Sequence, residues 1–120
     1  MTDKKLTDEE IIKNLKFCED CSAKLELVGR IMDETQILNA AIKTFGEKNQ
    51  EEMVVEECAE LITAIKHKHR GREHNIPEEI ADVEIVLEQL KIINNCADEV
   101  SAIRKEKIER LFDNIFNQCL

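Results

Sequence analysis

The chain has 120 residues, with 17 Lys+Arg against 26 Asp+Glu and a formal net charge of −9. That length fits one domain. Three Gly, one Pro, four Phe and no Trp or Tyr exclude an ordinary all-β fold, which needs turn formers and aromatics, and the acidic balance argues against a basic nucleic-acid surface. Thr7-Asp8-Glu9-Glu10 reads as a capping box, with Thr7 as N-cap and Glu10 reaching back. It predicts a first helix running into the twenties. A second is predicted from near Asp33 to Phe45-Gly46, with Gly46 as its C-terminal cap. The segment Glu47-Lys48-Asn49 reads as a loop into a third helix, about 50–69, ended by Arg70-Gly71-Arg72. Pro77 suits the first turn of a fourth, about 77–94, broken by Asn94-Asn95. A fifth runs from about Ala97 to Asn117. No segment reads as a strand. The expected fold is all-α, a helical bundle of four to five helices completed by oligomerisation.

No stretch approaches the ~18 apolar residues of a membrane span. The opening MTDKKLTDEE lacks the apolar core of a signal peptide, so the expectation is a cytoplasmic protein. Cys18, Cys21, Cys58, Cys96 and Cys119 are odd in number, which makes reduced thiols the simpler reading. Cys18-Glu19-Asp20-Cys21 is a single CxxC, without the second ligand pair that zinc needs or the βαβ pattern of a dithiol redox motif.

The third and fourth helices carry the information. At 100° per residue, Val54, Cys58, Leu61, Ile62 and Ile65 form one apolar stripe. Glu57 and Glu60 lie beside it, sharing a flank with Met53 and Ala64. On the fourth helix, Ile80, Val83, Val86, Leu87, Leu90 and Ile93 form the main stripe. Glu79 falls on its centre line and Asp82 borders it. Glu52, Glu56, Glu84, Glu88 and Lys91 read as solvated faces. Ala81, Ile85 and Ile92 form a lesser strip, and a helix apolar on two sides touches two neighbours, the second expected to be another subunit.

Acidic side chains are almost never buried unpaired. Glu57-Cys58-Ala59-Glu60 and Glu79-Ile80-Ala81-Asp82 each place two carboxylates three residues apart, as neighbours on a helix surface. On antiparallel helices the four would converge, and hard divalent cations are the natural compensation. A di-iron centre would call for a Glu-x-x-His motif, and no His stands three after any of these glutamates. His67, His69 and His74, with Lys66, Lys68, Arg70 and Arg72, read as a solvated helix end whose charge suits a helix C-terminus. On the last helix, Val100, Ile108, Leu111, Phe112 and Ile115 form a stripe that contains Arg104, with Lys105 and Lys107 flanking it and Arg110 further round. Such cations either snorkel from the apolar face or bind phosphate oxygens.

The strings EECAEL and EEIADV, separated so that eighteen residues lie between Glu60 and Glu79, resemble the MazG-like, all-α nucleoside triphosphate pyrophosphohydrolases, and small phage and prophage members most. The resemblance spans roughly Ile37 to Leu111, including ILNAAIKTFG before the motifs and KIERL after them. It implies a MazG-like domain over residues 33–120. Residues 1–32 read as an unmatched N-terminal helical extension of one compact unit. It implies Glu57, Glu60, Glu79 and Asp82 as Mg²⁺ ligands, with Mn²⁺ as an alternative, and hydrolysis of an NTP or dNTP to the monophosphate and pyrophosphate. Glu57 or Glu60 would act as base. Lys107 and Arg110 fit the family's basic positions on the last helix as substrate contacts, whereas Ile108 stands about where the family often has Asn. A homodimer or homotetramer is implied as well. Two other readings stand beside it: an acidic helical interaction module without enzymatic activity, and a degenerate member that binds nucleotide without hydrolysis.

Overall fold

The computed structural model describes residues 33–119, and four helices follow in chain order: α1 (Glu34–Phe45), α2 (Glu47–His69), α3 (Ile76–Ile93) and α4 (Ala97–Cys119). Among the described residues there is no strand, so the fold is all-α. The predicted first helix, its capping box and Cys18/Cys21 lie outside the described residues.

Each described helix has a local cause. Asp33 caps α1 through a reciprocal pair: its Oδ1 accepts from the Gln36 N–H at 2.8 Å, and Gln36 Oε1 accepts from the Asp33 N–H at 3.1 Å. The next boundary differs from expectation. Glu47-Lys48-Asn49 is not a loop but the first turn of α2, because the chain reverses at Gly46 alone. Gly46 sits at φ 92°, ψ 147°, a conformation nearly reserved for glycine. Asn49 Nδ2 then donates to the Phe45 carbonyl at 2.7 Å, satisfying a group that the end of α1 leaves open. Nothing lies within 4 Å of where a Cβ on Gly46 would sit, so the cost of Gly46→Ala is backbone strain alone. We expect it to destabilise the fold by about 1–3 kcal/mol, measured by urea unfolding. Pro77 stands in the first turn of α3, as expected.

The largest helix–helix contact is α2 against α3, with α1 packed on both. The buried apolar core of the described residues is small: Leu38, Ala40, Ile42, Ala64 and Val86. Which faces are buried departs from the apolar stripes. On α2 the buried positions are Gln50 and Ala64, with Met53, Glu57 and Leu61 half-buried between them. This is the flank that carries the carboxylates, rotated from the apolar stripe, and Ala64 admits a close helix approach there. Of the expected stripe, Val54, Cys58 and Leu61 are half-buried and Ile62 and Ile65 exposed, and Val55 beside it is exposed too. On α3, Glu79, Val86 and Gln89 are buried, whereas Ile80 and Leu87 of the expected stripe are exposed. Glu52, Glu56, Glu84 and Glu88 are exposed as expected. Lys91 is half-buried and ion-pairs with Glu88. Of the lesser strip, Ala81 and Ile85 are exposed and Ile92 is half-buried.

Helix α4 has its main contact with α3, and its described side chains from Ala97 to Gln118 are all exposed. Its stripe of Val100, Ile108, Leu111, Phe112 and Ile115 therefore covers nothing among the described residues. The Phe112 and Phe116 rings stack on each other, centroids 6.4 Å apart. No described helix is long and apolar enough to cross a membrane.

Candidate metal centre

The start of α3 fixes two of the acidic residues. The Glu79 N–H donates to the Asn75 carbonyl at 3.1 Å, which opens the helix, and Asn75 Nδ2 donates to Glu79 Oε1 at 2.9 Å. Glu79 is thereby held in the first turns of α3, where the positive end of the helix dipole favours an anion. Asp82 follows three residues later on the same side. Glu57 meets them from the packed flank of α2.

One carboxylate oxygen each from Glu57, Glu79 and Asp82 lie within 4.8 Å of one another. Acidic clusters on a surface are common, but this one is not on the surface. Glu79 is only 8% exposed, and Glu57 and Asp82 are half-buried. Among the described residues, Glu57 Oε2 and Glu79 Oε2 are buried with no hydrogen-bond partner. A buried carboxylate oxygen without a donor is costly, and a bound cation removes that cost. The donors are oxygens only, which fits hard divalent cations as a class.

The fourth carboxylate, Glu60, is exposed at the edge of this group, and its charge acts on Glu57. Burial pushes the Glu57 carboxyl above its ordinary range, and the neighbouring charges of Glu60, Asp82 and Glu79 push it further in the same direction. The expected tetrad thus divides: three carboxylates converge across two helices, and Glu60 joins them from the rim through Glu57.

Lys107 and Arg110 are exposed on α4, whose main packing is against α3. Arg110 lies 3.4 Å from Glu106, a neighbour on its own helix, and both side chains are mostly exposed. Arg104 and Lys105 are exposed too. His67 is half-buried, His69 and His74 are exposed, and none joins the carboxylate group. Cys58 and Cys96 are half-buried free thiols.

A cavity of about 650 Å³ opens beside the carboxylates, between α1, α2 and α3, and Glu57 and Asp82 are part of its wall. Its other polar lining includes Gln50 and Gln89, which the sequence reading passed over. The signal was in the spacing. Gln50 precedes Glu57 by seven residues and Gln89 follows Asp82 by seven, so each amide shares its carboxylate's helix face. In comparisons with known proteins, no family model, no curated protein and no solved structure matches the chain. The MazG-like likeness rests on the sequence motifs alone.

Proposed function

We propose that the protein is a Mg²⁺-dependent nucleoside triphosphate pyrophosphohydrolase, releasing a nucleoside monophosphate and pyrophosphate. The observation that carries this is the convergence of Glu57, Glu79 and Asp82 within 4.8 Å, with buried, unpartnered oxygens on two of them. The resemblance of EECAEL and EEIADV to the MazG-like motifs supplies the reaction class.

In this reading Glu57, Glu60, Glu79 and Asp82 hold the metal. When bound there, Mg²⁺ or Mn²⁺ would supply positive charge toward triphosphate oxygens and lower the pKa of a water. Glu57 or Glu60 takes the proton of the attacking water. The new P–O bond forms at the α-phosphorus, the bond from that phosphorus to the bridging oxygen breaks, and pyrophosphate leaves. Lys107 and Arg110 offer cationic donors to the departing phosphates.

Assembly belongs to the same proposal. The exposed Val55, Ile62 and Ile65 of α2 and the uncovered stripe of α4 call for a second copy, giving a homodimer or homotetramer. A cytoplasmic location suits the free thiols and the nucleotide substrate.

The test is product analysis across the eight common NTPs and dNTPs, with Mg²⁺ and with EDTA. At least one nucleotide should give monophosphate and pyrophosphate in equal amounts, with Mg²⁺ only. Orthophosphate and diphosphate would place attack at the γ-phosphorus and refute the reading. So would a lack of turnover across the whole set, which would favour a non-enzymatic acidic interaction module.

A further inference from the structure

We infer that Gln50 and Gln89 form a base-reading site, and that the cavity between α1, α2 and α3 takes the nucleobase of the substrate. This rests on the pyrophosphohydrolase reading of the carboxylates and extends it to substrate selection.

The wall of the cavity is chemically divided. It carries two carboxylates of the metal centre, Glu57 and Asp82, and two amides, Gln50 and Gln89. Because α2 and α3 run antiparallel, a step of seven residues back from Glu57 and a step of seven forward from Asp82 lead in the same direction. Each step is two helical turns, roughly 10 Å along the axis. Both amides line the same cavity as Glu57 and Asp82, each two turns along its helix from one of these carboxylates. That is the arrangement a nucleotide requires, with phosphates at one end and base at the other.

The two amides are also built for a ligand. Gln50 is 8% exposed and Gln89 is 5% exposed. Among the described residues, neither side chain has a hydrogen-bond partner, although each carries one acceptor and two donors. Buried amides in a packed core are normally satisfied. Here both line open space instead. The rest of the lining joins apolar Ala41, Met53, Ile85 and Val86, which suit a flat heterocycle, to exposed Asn49 and Glu52, and Phe45 stands at the exposed rim with a ring face for stacking. A carboxamide presents one donor beside one acceptor, which complements the mixed donor–acceptor edge of a base. Neither residue bears a charge, so neither would compete with Glu57, Glu79 and Asp82 for the cation.

The test compares wild type with Gln50→Met and Gln89→Met, which keep side-chain length and remove the amide. The readout is kcat/KM for the eight common NTPs and dNTPs. Wild type should favour one base over its poorest competitor by about a hundredfold or more, since a site built on hydrogen bonds discriminates strongly. Each variant should lose roughly tenfold or more on the preferred base, so that the ranking flattens. The Mg²⁺-induced rise in melting temperature should remain in both variants, which checks that the fold and the metal centre are intact. Variants that keep the wild-type ranking and rates overturn the inference while leaving the pyrophosphohydrolase reading untouched. A second measurement does not depend on turnover: calorimetric titration with AMP, CMP, GMP and UMP. If wild type hydrolyses nothing, the enzyme reading fails. Selective monophosphate binding that is lost in Gln89→Met would still support the base site, and equal affinity of wild type for all four would overturn it.

Discussion

Glu79→Gln is expected to lower turnover by at least a hundredfold while leaving the helical fold in place. Replacing a group outside the ligand shell of a metal already costs roughly tenfold to a hundredfold, and Glu79 is proposed as a direct ligand. Among the described residues, its Oε2 is buried without a partner and its Oε1 accepts from Asn75. Gln keeps the shape and the acceptor toward Asn75 and removes the charge. Without metal the variant should therefore melt at the same temperature as wild type or higher, because an uncompensated buried charge is destabilising. With Mg²⁺ at a hundred times its Kd, wild type should gain about 2.7 kcal/mol by linkage, and the variant less. Glu84→Gln, on an exposed face five residues further on, should change neither quantity.

Proton binding adds an independent axis to the same experiment. The Glu57 carboxyl lies above its ordinary 4.5, chiefly through burial and then through its acidic neighbours. In metal-free protein the folded state therefore holds this proton more tightly than the unfolded state does. That contribution is complete below pH 4.5 and is lost as pH rises through the raised value. Metal-free stability should fall with pH across this window, and added Mg²⁺ should offset the fall. Glu79→Gln removes one of the charges that raise Glu57, so the pH dependence should be weaker in the variant. A variant as active as wild type, or an Mg²⁺ response equal to that of wild type, would remove Glu79 from the site.

Much of this was legible in the sequence, and the failures have a common cause. The helix ends expected near Asp33, at Gly46 and at Pro77 fell where the residues placed them, although the Asp33–Gln36 cap itself was not foreseen. The burial of Glu79 also followed from its phase on α3. Which flank of α2 turns inward did not follow. A periodicity argument assumes that the most apolar face is buried within the same chain. Here Val55, Ile62 and Ile65 stay exposed, while Gln50, Glu57 and Ala64 pack toward α1 and α3. Polar residues at those positions are tolerated because they surround a cavity and a carboxylate cluster rather than a dry core. The amides were overlooked for the same reason: Gln on a helix ordinarily reads as surface. The expected loop at Glu47-Lys48-Asn49 failed because one glycine in a rare conformation completes the reversal.

The double substitution Leu111→Asp, Ile115→Asp is expected to yield a monomer that has lost part of its helix content. In the single chain, Leu111 is 53% exposed and Ile115 is 56% exposed, one turn apart with the exposed Phe112 and Phe116 beside them. Helix α4 has 23 residues and rests mainly on α3, so little among the described residues holds it helical. Helices in water owe most of their stability to packing of an amphipathic face. Full burial of a Leu or Ile side chain stabilises by about 1.5–3 kcal/mol, so a second copy laid on this stripe would gain substantially from these two residues alone. Two added aspartates remove that gain and place like charges in the contact of a chain already at −9. Light scattering of wild type should give at least twice the 13.9 kDa chain mass, and the variant should run at the chain mass. Circular dichroism should show the loss of helix, and turnover should fall because Lys107 and Arg110 lie on the helix that loosens. Arg104→Asp would be a poor substitute, since it changes a charge as well as the stripe. A wild type that is monomeric at micromolar concentration, with full helix content, would show that α4 stands without a partner and would refute the assembly.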